Sequence, residues 1–259
     1  MDGLHILVLA GRRDGDAAVA AMGDVSHKAL LPVGGVPMLE RVLDVLHREV
    51  PDAPVAVIID DAPGVEELLS RYGATRLEPA KSPSLSVTGA QARFDAPFLL
   101  VTADHALLTG EMVRHFLNHI PQGADGVVAL ARRETIEAQY KTRRTYWRFA
   151  DAAYSGCNLF YLSRTSSPAV TFWRQLEADR KRPWRVVRRL GVGMLLAFLF
   201  RILSLPMALR RLSKVTGAQL GFVDMPFAEA AIDVDKPEDL FLAETILAAR
   251  DEQNAVSVP

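Results

Sequence analysis

Leu4-His-Ile-Leu-Val-Leu-Ala-Gly11 is a nearly unbroken apolar run that stops at a glycine. A strand this apolar on consecutive residues is buried on both faces, which is the signature of a parallel sheet covered by helices. Residues 36–46 then carry apolar side chains at helical spacing, and 54–59 form a second apolar run. A short helix is expected over 64–72, with further strands at 98–102, 125–130 and 158–162. Strands alternating with helices predict an α/β fold: a Rossmann-like, doubly wound, mostly parallel sheet with right-handed crossovers.

The chain has 259 residues and is 49% hydrophobic, enough for a single large core over 1–250 followed by a flexible tail at 251–259. A net charge of -1 excludes a dedicated nucleic-acid binder. The single cysteine, Cys157, excludes an intramolecular disulfide framework. The N-terminal run is too short for a signal peptide and lacks a basic flank, which predicts a cytoplasmic protein.

In doubly wound sheets ligands bind beyond the carboxyl ends of the strands. That rule brings the segment from Gly11 to Lys28 and the strand-terminal Asp104 to one edge. The loop Gly11-Arg-Arg-Asp-Gly-Asp16 lets backbone N–H groups approach an anion while arginines offer forked donors; an ordinary turn with solvated arginines has the same composition. It matches neither the dinucleotide-binding glycine motif nor the P-loop. Lys28, set among apolar residues, suits a phosphate-neutralising cation, or else a lysine whose stem lies along an apolar edge. Asp104 suits Mg²⁺, which prefers one or two carboxylates plus substrate phosphates, or else it caps a helix starting near Thr109. His105 reads as structural. Asp233 and Asp235 share one face of an extended segment and can both address a metal. Pro237, Glu238 and Asp239 read as the first turn of a helix.

Residues 180–221 break the alternation as a helical insertion, arginine-rich at both ends and apolar between. Arg201 and Pro206 interrupt the run of about 20 apolar residues that a spanning helix needs. Three readings remain open for 186–212: a buried insertion, a homodimer contact, or a helix lying on a membrane surface.

Taken in order, Leu-Ala-Gly-x-Arg-x-Gly-Asp, His-Lys-Ala-Leu-Leu-Pro-Val-x-Gly-x-Pro-Met-Leu, Thr102-Ala-Asp104 and Asp233-Val-Asp235-Lys-Pro-Glu-Asp-Leu240 resemble the signature of the MobA-like NTP transferases. The resemblance covers residues 4–165 and 222–247 and implies a sheet of the nucleotide-diphospho-sugar transferase type. It further implies a Mg²⁺-dependent condensation of an NTP, CTP or GTP favoured, with a small phosphorylated alcohol, sugar or cofactor precursor, releasing pyrophosphate. Ala10, Gly11, Arg12 and Arg13 would then hold the triphosphate, with Arg13 and Lys28 catalytic. Asp104, Asp235 and Asp233 would hold the metal, Ser84 and Ser86 the nucleoside, and Gly156 and Asn158 the acceptor. Relatives often carry Pro before the lysine and Asp-x-Pro at the metal station, where this chain has His27 and Asp104-His105-Ala106. Two narrower or contrary readings accompany this one: a molybdenum-cofactor guanylyltransferase, and a catalytically inactive nucleotide-binding interaction module.

Overall fold

The apolar runs become strands because both their faces meet helices. A computed structural model describes residues 3–12, 16, 20–142, 144–179 and 191–256, with side chains through 253. The strands are β1 (His5–Leu9), β2 (Pro32–Val33), β3 (Val36–Pro37), β4 (Val55–Ile58), β5 (Thr75–Leu77), β6 (Phe98–Thr102), β7 (Gly126–Arg132), β8 (Trp147–Arg148), β9 (Ala153–Leu162) and β10 (Leu220–Asp224). The main sheet runs β10-β7-β9-β6-β1-β4-β5, with β8 paired to β9. β1 lies parallel to both β4 and β6, β5 is parallel to β4, and β10 is parallel to β7. Only β9 among the long strands is inverted, antiparallel to β6 and to β7. The mostly parallel sheet expected from the sequence is therefore present, with one reversed strand that the local sequence does not announce.

The helices Met38–Glu49 and Gly110–Asn118 cover one face of the sheet and Pro83–Arg93 with Ser167–Ala178 the other. Val33-Gly-Gly-Val36 closes the β2–β3 hairpin, Gly34 and Gly35 both taking positive φ (59° and 78°) as a two-residue primed turn requires. This glycine pair serves a turn and lies outside the cavity described below. The C-terminal helix, Pro237–Val256, opens with Glu238 and Asp239 in its first turn and takes in 251–256 of the tail expected at 251–259, of which 257–259 lie outside the described residues. Within the expected 180–221 insertion, 191–216 holds two helices, Val192–Leu199 and Leu205–Thr216, and β10 begins at Leu220 as a sheet strand. Residues 180–190 lie outside the described residues. Among the described residues no helix is long and apolar enough to cross a membrane.

A second apolar cluster decides the site. Leu31 and Val33 follow Lys28, Ala106 and Leu107 follow Asp104, and Ile232 and Val234 alternate with Asp233 and Asp235; all six pack with Leu240 of the C-terminal helix. Burial of these neighbours forces the polar side chains between them to the opposite side, toward the strand ends.

Candidate active site

Beyond the carboxyl ends of β1, β4 and β6 lies a cavity of about 1100 Å³. Ala10, Gly11 and Arg12 form one wall, Lys28 and Asp104 the floor, and Ala80, Lys81, Ser82, Leu85 and Ser86 with Trp173 and Glu177 the far side. Gly11 packs closely on the next loop: a Cβ there would stand 3.2 Å from the Pro79 Cβ, a tight contact. The Arg12 backbone N–H donates to Asp60 Oδ2 at 2.9 Å, and its guanidinium donates to the Ser26 carbonyl at 3.0 Å. Arg12 thus ties the glycine loop to the segment that carries Lys28. Arg13 lies outside the described residues.

Lys28 opens a single 3₁₀ turn, Lys28–Leu30, capped by His27, whose Nδ1 accepts from the Ala29 N–H at 3.1 Å. The cap gives a physical role to the histidine that replaces proline. Burial and the Arg12 charge hold the His27 pKa below its ordinary value, consistent with a neutral ring that can accept this bond. The turn buries the Lys28 side chain, 9% exposed, and aims Nζ at Asp235 Oδ1 (2.7 Å), Asp16 Oδ1 (3.4 Å) and Asp104 Oδ2 (3.9 Å). Burial alone would lower the lysine pKa; the hydrogen bond to Asp235 and the charges of Asp104, Asp235 and Asp16 outweigh it, and the net shift is upward.

Asp104 follows β6 and accepts a hydrogen bond from the Thr102 hydroxyl. It does not cap the next helix, because Thr109 does so by accepting from the Met112 N–H. Its backbone carbonyl accepts from the Val234 N–H at 3.0 Å, and that bond draws the Asp233–Asp235 segment alongside. Carboxylate oxygens of Asp104, Asp233 and Asp235 lie within 4.8 Å of one another. Burial, then the Asp233 charge, push the Asp104 pKa up to about 6.

These residues fit a hard divalent cation. All three donors are carboxylate oxygens, the ligand type Mg²⁺ prefers, and their spacing is within small side-chain adjustments of a common ion at about 2.1 Å. Their mutual repulsion is what a bound cation relieves.

Sequence reasoning did not single out Arg144. Its guanidinium pairs with Asp233 and, at 3.1 Å, with Asp239 Oδ1. Asn158 Nδ2 donates to Asp233 Oδ2 at 3.1 Å. Asn158 reaches that point through a bulge: the β7–β9 register shifts between Val128↔Phe160 and Leu130↔Gly156, and Asn158 takes φ 51°. Asparagine tolerates this left-handed conformation better than most residues. Gly156, opposite Leu130, is not part of the cavity wall. Ser86 Oγ accepts from the Ala80 N–H at 2.9 Å and shapes the far wall. Ser84 is fully buried, bonded to Glu177 and Ser82, and supports that wall from behind.

A strand-end cavity with a buried lysine facing three convergent carboxylates, on a mixed sheet of this topology, is the arrangement of a nucleotidyltransferase. The chain belongs to the MobA-like NTP transferase family, whose model matches residues 7–191. It is similar to a hypothetical transferase from Thermus thermophilus, at 30% identity and a TM-score of 0.78, covering 93% of this chain and 100% of that one. It also shares its fold with CMP:2-keto-3-deoxy-manno-octonic acid synthetase complexed with CTP, at 14% identity and a TM-score of 0.59 over 96% of this chain and 100% of that one. A 4-diphosphocytidyl-2C-methyl-D-erythritol synthase from Anaerococcus prevotii gives 11% identity and a TM-score of 0.56, over 95% and 96%. No curated protein matches the sequence.

Proposed function

We propose that the enzyme is a Mg²⁺-dependent nucleotidyltransferase that joins an NTP to a small phosphorylated acceptor and releases pyrophosphate. The observation that carries this reading is the approach of Lys28 Nζ to Asp104 and Asp235 at the floor of the strand-end cavity. The triphosphate lies along residues 10–12, where the absent Gly11 side chain lets an anion approach the backbone, with Arg13 as a further cation; the Ala10 and Arg12 N–H groups are themselves bonded to the Ile58 carbonyl and to Asp60. The nucleoside lies toward the wall that Ser86 shapes and Ser84 supports. Asn158, at the bulge, faces the acceptor; the acceptor role implied for Gly156 is indirect, through the bulge it flanks.

An acceptor phosphate oxygen attacks the α-phosphorus, a new phosphoanhydride bond forms, and the α–β bond breaks as pyrophosphate departs. The nucleophile is already anionic, so no side chain is needed as general base. Lys28 supplies positive charge where negative charge grows on the transferring group. Mg²⁺, held by Asp104 and Asp235 with Asp233 as the third candidate, supplies further neutralisation of phosphate charge when bound.

CTP is the first nucleotide to try, since the similar CMP:2-keto-3-deoxy-manno-octonic acid synthetase is described with it. Thermal unfolding with each of the four NTPs and Mg²⁺ tests the nucleotide half of this reading. One NTP at saturating concentration should raise Tm by about 5 °C. Protection by GTP alone would point to the guanylyltransferase reading, and protection by none would remove the nucleotide site.

A further inference from the structure

Charge is segregated along this chain. Between Asp179 and Asp224 the sequence has ten lysines and arginines and no acidic residue, leaving twenty cations against 31 acids elsewhere. The same segment holds the apolar run; six of the ten cations fall in 180–190, outside the described residues, and the other four are Arg201, Arg210, Arg211 and Lys214. Helices Val192–Leu199 and Leu205–Thr216 form a pair anchored to the β8–β9 hairpin. The Leu205 N–H donates to Asp151 Oδ1 at 2.8 Å, the Ala150 N–H donates to the Leu203 carbonyl at 2.9 Å, and the Phe198 ring meets Phe149 at 5.4 Å. Leu205 is buried with Leu130 and Tyr154.

Among the described residues, the first helix and the tip of this anchored pair carry exposed apolar side chains. No residue of Val192–Leu199 is buried, and Leu199, Phe200 and Ile202 are 63%, 71% and 67% exposed. Arg201 takes φ 55°, a costly conformation for a side chain of its size, and so turns the chain at a tip between two outward apolar residues. Arg201 is exposed at this tip, and Arg210, Arg211 and Lys214 are exposed along the second helix, beside the start of the first at 191–194. A groove of about 490 Å³ between the helices has Met194, Leu203 and Met207 along it, with Arg210, Arg211 and Lys214 as its cationic side. Exposed apolar side chains surrounded by cations are the composition of a surface that rests at the boundary between lipid headgroups and acyl chains.

We propose that this helix pair docks the enzyme onto an anionic phospholipid surface, with Leu199, Phe200 and Ile202 entering the acyl boundary and the four cations meeting lipid phosphates. The proposal is independent of the reading of the catalytic site. Charge selects the occupant: a twofold contact between two copies would set one cationic patch against another, which like-charge repulsion opposes. An anionic leaflet attracts each surface cation, adding to the apolar contribution.

Flotation of the full chain with phosphatidylcholine vesicles, with and without phosphatidylglycerol, tests the proposal. The protein should rise with the anionic vesicles, less so at raised salt, and remain behind with phosphatidylcholine alone. Leu199→Ser/Phe200→Ser/Ile202→Ser and Arg210→Glu/Arg211→Glu should each reduce binding at least about tenfold with an unchanged Tm, since these side chains are exposed. Failure of the wild-type chain to float with anionic vesicles, or flotation of both variants like wild type, would overturn it. So would a wild-type dimer in sedimentation that the triple serine variant dissociates, which would give the face to a second copy.

Discussion

Lys28 and Asp235 are separated by 207 positions in sequence, yet their Nζ and Oδ1 atoms lie 2.7 Å apart. The same lysine reaches Asp104, so one cation joins the first and last segments of the site. If its charge matters most when the transferring phosphate is most negative, Lys28→Ala should lower kcat by about 10²–10³-fold. Nucleotide affinity, read from a binding titration, should change only a few-fold. Equal losses in both would make Lys28 a binding residue only.

Asp104 is buried among like charges, so its carboxylate strains the metal-free protein and rewards a cation. Asp104→Asn should leave the metal-free Tm equal or higher while abolishing the stabilisation given by Mg²⁺ with NTP. An unchanged metal titration would remove Asp104 from the metal site.

Arg144 holds Asp233 and Asp239 together and is 9% exposed on its side chain. Removing one partner of such a buried network strands the carboxylates, so Arg144→Met should cost about 3 kcal/mol in denaturant unfolding. Arg144→Lys should recover little of it, because an ammonium cannot span both carboxylates as the guanidinium fork does. Full rescue by lysine would reduce the bridge to simple charge.

Asp125 fastens the start of β7 to its neighbours by accepting from Ser163 Oγ at 2.9 Å, the Gln219 N–H at 2.7 Å and the Thr165 hydroxyl. Burial opposes ionisation, but these bonds prevail and hold its pKa below the ordinary carboxylate value. A depressed folded pKa contributes stability above the unfolded value of about 4, lost as pH falls through the folded one. Asp125→Asn should therefore narrow the difference in unfolding free energy between neutral and acid conditions. A variant with the wild-type acid limb would contradict this.

What the sequence made legible follows from periodicity. Leu4–Ala10 and 98–102 are apolar on consecutive residues and announce buried parallel strands, and the edge rule then brings Lys28 and Asp104 together. Alternation of Ile232 and Val234 with Asp233 and Asp235 likewise foretold that the two carboxylates share one side, where their oxygens converge with those of Asp104. The inverted direction of β9 was not legible, because strand direction is set by tertiary pairing. Arg144 gave no local signal: it lies in a polar stretch, and its partners at 233 and 239 meet it only in the folded chain. The start of β10 was hidden inside an apolar segment dominated by the helical insertion.

The central claim is transfer of a nucleotidyl group to a phosphorylated acceptor. Its most direct test is pyrophosphate release, with Mg²⁺ present or chelated, for CTP, GTP, UTP and ATP against a panel of phosphorylated alcohols and sugars. Release should require one NTP, one class of acceptor and the metal together, and should fall sharply in Lys28→Ala. Release that ignores the acceptor, persists after chelation, or occurs with no pair at all would contradict it.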